Sequence, residues 1–587
     1  MTTRIFDLFE YQLQNFPKLD SICGKVNGKW MKYSSSEIAT QAGQFSLGLL
    51  ELGVGKGDRI GIVSGNRPEW NIADLGMLHI GVVNVPVYTT LSESETAFIF
   101  NDSQVSIVLV ADAKLYQKII AVQKDIPTLR AVYTFDSIEG AKNWTEILDA
   151  GKQSGKAAER DRIRDSIQPQ DLATLIYTSG TTGNPKGVML SHRNIVSNVV
   201  DCKALAPALP VHRALSFLPL CHTYERMLTY WYMYKGASVY YAESMDKIVD
   251  NIREIKPHFF STVPRLLEKV YERIMEKGKE QKGIKRILFY WAVNLGLRYE
   301  LNNANGPWYG LQLKVARALI FSKWREALGG EVIAIISGGA ALQPRLARVF
   351  HAAGIVVLEG YGLTETSPVI AVNNFEPNSI RFGTVGPVIP NVSVRIAEDG
   401  EILCKGPNIM LGYFNRPDLT AEVIDDGGWF HTGDIGVIED NRFLKITDRK
   451  KEIFKTSGGK YIAPQLIENK FKESPFIEQL MVIGENQKFP AALIVPSFNH
   501  LRHWCESKHI PYTVPEEMIL NPVVIARFRQ EVEEYNKGLS QYEQVKKIEL
   551  LPKEWTTDSG DLTPTLKLKR KIIAERNKLL VEKIYGE

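Results

Sequence analysis

No apolar run in this 587-residue sequence reaches the roughly 18 residues that a membrane-spanning helix needs. That excludes a chain threaded through a bilayer on helices. Cysteine is scarce: Cys23, Cys202, Cys221, Cys404 and Cys505 are odd in number, far apart and free of CxxC or Cys/His spacing. A disulfide framework or zinc site is therefore not expected, whereas a reducing compartment is. Excess charge is also small, since 71 Lys and Arg against 67 Asp and Glu leave +4, too little to argue for nucleic acid as the main partner. Residues 1–10 lack the basic-then-apolar layout of a signal peptide. Two phosphate-binding signatures are missing as well. No Gly-Lys is followed by Ser or Thr, and no G-x-G-x-x-G occurs, which excludes a Walker A loop and argues against a nicotinamide enzyme of the usual kind.

What is present is an ordinary globular composition, 44% hydrophobic and 24% charged, long enough for about four domain-sized pieces. From Asp58 to about Gly360, nearly continuous apolar runs alternate with segments long enough for crossover helices. Arg59-Ile-Gly-Ile-Val, Val105-Ser-Ile-Val-Leu-Val, Ala173-Thr-Leu-Ile-Tyr, Ala214-Leu-Ser-Phe-Leu and Val332-Ile-Ala-Ile-Ile are such runs. They predict buried, mostly parallel sheet, an α/β architecture. Beyond Gly383 the strands shorten and alternate, predicting a small β subdomain. A charged break at Asp448-Arg-Lys-Lys-Glu452 divides a large domain, 1–448, from a small α+β domain, 449–587.

One segment stands apart. Arg265–Gly330 carries thirteen Lys or Arg against six Glu, a local charge of +7, with Phe289, Tyr290, Trp291, Tyr299, Trp308, Tyr309, Phe321 and Trp324 in its C-terminal half. Basic, aromatic helices suit an anionic membrane surface. The reading favoured on sequence alone is a helical insertion packed on its own domain with its charges solvated, since amphipathicity does not separate the two.

The strongest local signal is Tyr177-Thr-Ser-Gly-Thr-Thr-Gly-Asn-Pro-Lys-Gly187. It follows a strand-like run and precedes Ser191-His-Arg-Asn, a helix start. Glycines let backbone N–H groups turn toward one point while hydroxyls and Lys186 surround it, the chemistry of a polyphosphate cradle.

This loop resembles the phosphate-binding signature of the adenylate-forming (AMP-binding) superfamily, and further matches follow in order. Ser337-Gly-Gly-Ala-Ala341 and Glu359-Gly-Tyr-Gly-Leu-Thr-Glu-Thr366 resemble its adenine and metal segments. Trp429-Phe-His-Thr-Gly-Asp434 resembles its ribose segment, Asp448 to Gly459 its interdomain hinge, and Leu562-Thr-Pro-Thr-Leu-Lys-Leu-Lys-Arg570 the segment carrying its catalytic lysine.

The resemblance implies a reaction and a role for each position. ATP activates a carboxylic acid as an acyl-adenylate, so cations and oriented donors must offset the repulsion between two anions. Thr178, Ser179, Gly180, Thr181, Thr182, Gly183 and Lys186 would hold the departing pyrophosphate. Thr178 and Glu365 would position Mg²⁺, which suits hydroxyl, carboxylate, water and phosphate oxygens. Gly338, Gly339, Ala340, Glu359, Gly360, Tyr361, Gly362 and Thr364 would line the nucleotide site, with Asp434 on the ribose and Arg449 adding a cation. Lys567 would bridge the carboxylate and α-phosphate. In many members Ser-Gly-Lys stands where this chain has Thr-Leu-Lys. His222 would lie near the acyl and thiol substrates, though a His after a strand is as readily a structural residue. Ser457, Gly458, Gly459 and Lys460 would approach the thiol after a swing of the C-terminal domain about Lys451.

Taken alone, Asp434 would pass for a turn residue and Lys567 for part of a solvated charge run; the ordered series of motifs assigns them. Three further features resemble long-chain fatty acyl-CoA synthetases: Val263-Pro-Arg-Leu-Leu-Glu-Lys-Val-Tyr271, the insertion that follows it, and Pro564-Thr-Leu-Lys-Leu-Lys-Arg570. Arg226 stands where some fatty-acid ligases carry an aromatic gate. The expected acceptor is coenzyme A. A ligase that stops at the acyl-adenylate or serves a carrier protein is the alternative, and a non-catalytic nucleotide-binding protein held at membranes is a third reading. The expected setting is the cytoplasm, either free or at the inner face of a membrane; monomer and homodimer stay open.

Overall fold

The computed structural model describes residues 2–178, 185–557, 559–563 and 567–586. They form two compact units, one of Met1–Arg395 and Leu403–His431, the other of Ile396–Ile402 and Thr432–Glu587.

The first unit contains two eight-stranded sheets, and the apolar runs of the sequence form their interiors. In one, Leu172–Thr178, Val83–Val87, Arg59–Val63, Ile107–Val110 and Ala131–Thr134 lie side by side and parallel. Lys186–Ser191 returns antiparallel to Leu172–Thr178, and Gly412–Tyr413 closes that edge. In the other, Ile22–Val26, Ser238–Tyr241, Arg213–Ser216, Phe259–Thr262, Ala334–Ser337 and Val356–Gly362 are parallel, with an antiparallel strand at each edge. Strands buried on both faces need apolar residues at every position rather than at alternate ones, which is why they read as continuous runs.

Two helices form a layer between the sheets. Pro68–Leu78 buries ten of its eleven residues and Thr223–Tyr234 ten of twelve. Their polar groups show what they face. Ser261 of one sheet donates to Glu225, while Arg226 donates to Thr174 Oγ1 of the other sheet at 2.8 Å. Arg226 also pairs with Asp74 at 2.6 Å and donates to the Tyr230 hydroxyl at 2.9 Å. Asp74 accepts further bonds from Asn84 and Tyr230. A buried ion pair is tolerable only when its remaining donors and acceptors are satisfied, and this network does that. Arg226 is thus a cation locked into the core.

Arg265–Gly330 is helical: Pro264–Lys279, Gly283–Leu297 and Gly306–Ala316, the last running through a π-helical turn, Arg317–Phe321, into Ser322–Ala327. Phe289, Leu295, Phe321 and Trp324 pack into the core of the first unit, so the packing reading accounts for much of the aromatic content. Trp308 does not join them and is 71% exposed.

The second unit is α+β as expected of the C-terminal part, and takes in Ile396–Ile402 and the residues from Thr432 in addition to 449–587. Its three-stranded sheet, Ile477–Ile483, Ala491–Pro496 and Lys547–Leu550, is covered by Pro464–Phe471 and Pro522–Asn536 among other helices.

Candidate active site

Parallel strands place their C-terminal ends along one edge, where open α/β sheets bind ligands. In the first unit Ser216, Thr262, Ser337 and Gly360–Gly362 all come to such an edge. Gly338 continues from Ser337, and its N–H donates to the Thr262 carbonyl at 3.2 Å. A Cβ on Gly338 would stand 3.1 Å from the Tyr224 ring, whose hydroxyl donates to the Ile336 carbonyl at 2.9 Å. Gly339 has φ +81°, a conformation that favours glycine, and it and Ala340 are exposed. Gly362 has no alternative, since a Cβ there would lie 1.7 Å from the Pro368 carbonyl oxygen. Tyr361 pairs in register with Ala371, and Thr364 is buried at the start of a single helical turn, Thr364–Thr366.

His222 begins the central helix. Its Nδ1 accepts the Tyr224 N–H at 3.2 Å, so this nitrogen serves as a helix cap. Tyr224 meanwhile abuts Gly338, which brings His222 to the edge that carries the nucleotide motifs. Glu359 pairs in register with Ser337, and burial pushes its carboxyl up to about 8.

The second sheet contributes Thr178 and Lys186, which face each other as the last and first residues of an antiparallel pair. Ser179, Gly180, Thr181, Thr182 and Gly183 lie outside the described residues. Ser191 caps the next helix as the sequence predicts. Its Oγ accepts the Asn194 N–H at 3.2 Å, and Asn194 Oδ1 accepts the Ser191 N–H at 2.8 Å. Lys186 Nζ sits 5.0 Å from the centre of the Tyr413 ring, and the Tyr413 hydroxyl donates to Glu365 Oε1 at 2.9 Å. The Met410 N–H donates to the Glu365 carbonyl at 2.9 Å. One phenol thus joins Lys186, at the start of its strand, to Glu365 of the Glu359–Thr366 segment.

In the second unit Asp434 and Arg449 are cross-strand partners, with Arg449 Nε 3.6 Å from Asp434 Oδ1. Gly433 N–H donates to Glu401 at 2.9 Å, and Lys450 pairs with Glu401 at 2.8 Å and Asp399 at 2.6 Å. Lys451 lies exposed in the following turn. Ser457, Gly458, Gly459 and Lys460 form an exposed turn closed by the Thr456 N–H on the Lys460 carbonyl at 2.9 Å. Lys567 N–H donates to Thr563 Oγ1 at 3.0 Å, and Thr563 N–H to the Lys567 carbonyl at 2.8 Å, so Thr563 and Lys567 hold each other through two hydrogen bonds.

Residues 9–414 match the family of AMP-binding enzymes, and residues 451–587 match the AMP-binding enzyme C-terminal domain. The chain belongs to the AMP-binding enzyme family. Among its relatives is the long-chain-fatty-acid–CoA ligase FadD15 of Mycobacterium bovis, 36% identical over 96% of this chain and 94% of that protein. Solved structures share the fold. One is a fatty acyl CoA synthetase of Mycobacterium tuberculosis (TM-score 0.64, 21% identity, 98% of both chains). Another is the adenylation domain of a carboxylate reductase from Mycobacterium chelonae (TM-score 0.75, 22% identity, 100% of this chain and 91% of that one). As an AMP-binding enzyme the protein carries out ATP-dependent adenylation of a carboxylic acid.

Two features of this AMP-binding enzyme escape sequence reasoning. Tyr413 lies 48 residues from Glu365 in a two-residue strand, and only the adjoining Gly412, at φ +137°, hints at close packing. The other is a half-buried clamp around Arg570, which pairs with both oxygens of Glu468 at 2.8 and 2.7 Å and with Glu452 at 2.9 Å. Asp448, next to Arg449 in sequence, accepts the Arg449 and Gln465 N–H groups at 2.6 and 3.1 Å, yet burial still pushes its carboxyl up to about 7.

Among the described residues, no cluster of three or more His, Cys, Asp or Glu could hold a metal. A Mg²⁺ shared with nucleotide phosphates needs fewer protein ligands. Glu365, accepting one phenol hydrogen on Oε1, has the donor chemistry for it together with the hydroxyl of Thr178.

Proposed function

We propose that this enzyme is a long-chain fatty acid–CoA ligase working through an acyl-adenylate. The observation that carries the reading is the line from Lys186 through Tyr413 to Glu365, which would couple a cation holding polyphosphate to an acid holding magnesium. A fatty acid as substrate is supported by the name of the Mycobacterium bovis relative, similar over nearly the whole length, and by Val263–Tyr271, which resembles the same group.

In the first half-reaction a carboxylate oxygen attacks the α-phosphorus of ATP, and the bond to pyrophosphate breaks. Lys186 would take up negative charge on the leaving phosphates, and Lys567 charge shared between carboxylate and α-phosphate. Asp434 would accept the ribose hydroxyls, with Arg449 beside it. Glu365 and Thr178 would hold Mg²⁺, which supplies charge neutralisation at the phosphates when bound. In the second half-reaction the thiol of coenzyme A gives up its proton, its sulfur attacks the acyl carbon, and AMP leaves. Ser457, Gly458, Gly459 and Lys460 would line the approach of the thiol. Five free, buried cysteines suit a reducing cytoplasm.

The test is pyrophosphate release with a panel of acids of increasing length, with coenzyme A or an acyl carrier protein as acceptor. Palmitate or laurate should exceed benzoate and acetate by roughly a hundredfold or more in kcat/KM, since each buried methylene is worth a several-fold preference. Thioester should form with coenzyme A. Turnover only with carrier protein would assign the acceptor otherwise, and no pyrophosphate release with any acid would leave a silent nucleotide-binding protein.

A further inference from the structure

The outer face of the insertion has a pattern that neither packing nor catalysis requires. The helix Gly306–Ala316 turns Leu313 and Ala316 inward, and the Tyr309 hydroxyl fastens it to the Leu295 carbonyl at 2.7 Å. Its opposite side exposes Trp308, Leu311 and Val315, and Leu319 continues the row in the π-helical turn; these are 71%, 54%, 44% and 50% exposed. The spacing of three and four residues sets them along one face. Ile284 and Ile287 at the start of Gly283–Leu297 are exposed as well. Single exposed apolar residues are ordinary, but a row of them marks an interaction surface.

Charge identifies the partner. Residues 281–325 contain eight Lys or Arg and a single acid, Glu300. Lys282, Lys285, Arg286, Lys314 and Lys323 are all exposed. An exposed apolar row flanked by cations and almost without carboxylates matches a surface that offers anionic headgroups outside and hydrocarbon beneath. A second copy of the chain does not match, because a two-fold interface would set this basic face against itself. Among the described residues no helix is long and apolar enough to cross a membrane, so contact through this face would be interfacial.

We propose that the helices Gly283–Leu297 and Gly306–Ala316 dock on the surface of an anionic phospholipid bilayer, with Trp308, Leu311, Val315 and Leu319 entering the headgroup boundary. This rests on the surface alone and stands whichever acid the enzyme activates.

The test is co-sedimentation of the full chain with vesicles of phosphatidylcholine alone or with a third phosphatidylglycerol. Binding should be at least roughly tenfold tighter to the anionic vesicles and should weaken as salt rises from 0.1 to 0.5 M. Replacing Lys282, Lys285 and Arg286 together by Glu should weaken it by about a hundredfold or more, at roughly fivefold for each cation lost. Leu311→Asp should weaken it about tenfold or more at constant salt, while a Lys114→Glu/Lys124→Glu control elsewhere on the surface leaves it unchanged. Pyrophosphate release in vesicle-free solution should be the same in every variant, which separates loss of docking from loss of fold. Equal binding to both vesicle types would overturn the proposal. So would full binding by Leu311→Asp, or a dimer in sedimentation equilibrium that Leu311→Asp dissolves without any vesicle binding.

Discussion

Tyr413 connects two side chains of opposite charge without neutralising either. Its ring face meets the ammonium of Lys186, its hydroxyl meets Glu365, and only 6% of it is exposed. Burial, with the Glu365 charge adding to it, pushes its ionisation well above the ordinary phenol range, so it remains a donor at any working pH. Removing the hydroxyl while keeping the ring isolates the positioning contribution. Tyr413→Phe should lower kcat for pyrophosphate release about tenfold, the scale of one hydrogen bond to a charged group, and raise the Mg²⁺ needed for half-maximal rate. Glu365→Gln should lose most adenylation activity while staying folded, because it keeps the shape and removes the charge a cation needs. Unchanged magnesium dependence in both variants would remove Glu365 from the metal assignment. Glu359 gives a prediction of the opposite kind. Its carboxyl titrates at about 8 in the fold against an ordinary 4.5, so between those values the folded chain holds a proton that the unfolded chain releases. Its contribution therefore makes stability fall as pH rises from about 4.5 to about 8. Glu359→Gln is neutral throughout and should flatten the decline in Tm across pH 5 to 8. An identical decline in both proteins would show that Glu359 is ionised in the fold.

At the scale of elements, legibility in the sequence follows from how local the cause is. Arg59–Val63 and Ala334–Ser337 announce themselves because burial on both faces leaves an uninterrupted apolar run, and the Ser191 cap is complete within four residues. The central helix Thr223–Tyr234 is harder to read, since a helix buried all round has no polar face to set its period. Its charged residues, Glu225 and Arg226, look solvent-facing until two sheets close over them. The clamp around Arg570 is less legible again. Glu468 lies 102 residues away and Glu452 118, and in the sequence Arg570 merges with the cations Lys567, Lys569 and Lys571. Yet it ties the helix that follows Lys567 to the helix Pro464–Phe471 and to the segment after Lys451. Arg570→Ala would leave Glu468, whose side chain is 4% exposed, without its cation. Breaking a buried pair costs about 3–5 kcal/mol; with Arg570 itself 21% exposed, about 2–3 kcal/mol is expected. Arg570→Lys should recover less than half of that, since an ammonium cannot match both carboxylate oxygens as a guanidinium does. Thermal unfolding measures both, and equal melting of wild type and Arg570→Ala would exclude the clamp as a stabilising element.

For the molecule as a whole, the proposed ligase reaction sets a problem, because one enzyme would have to stabilise two unlike transition states. The first gathers charge on phosphorus oxygens, the second on an acyl oxygen attacked by sulfur, and donors preorganised for one are misplaced for the other. The second unit contains both sets of groups on separate segments, Lys567 beside the bridge between Leu562 and Leu568 and Gly458-Gly459 in the turn before Tyr461. Exchanging one loop for the other would let a single unit serve both steps, and Lys451, exposed in its own turn, is the residue proposed to absorb the backbone rotation. Proline at 451 fixes φ near −65° and removes the N–H. Lys451→Pro should therefore hold one arrangement, retaining adenylation within about tenfold while losing most thioester formation from supplied acyl-adenylate and coenzyme A. Lys567→Ala should do the reverse, failing in pyrophosphate release and converting the same acyl-adenylate to thioester at close to the wild-type rate. The two half-reactions measured separately in both variants decide the matter. Equal loss of both steps in each folded variant would mean that Lys451 is not a hinge and that one fixed arrangement performs the entire reaction.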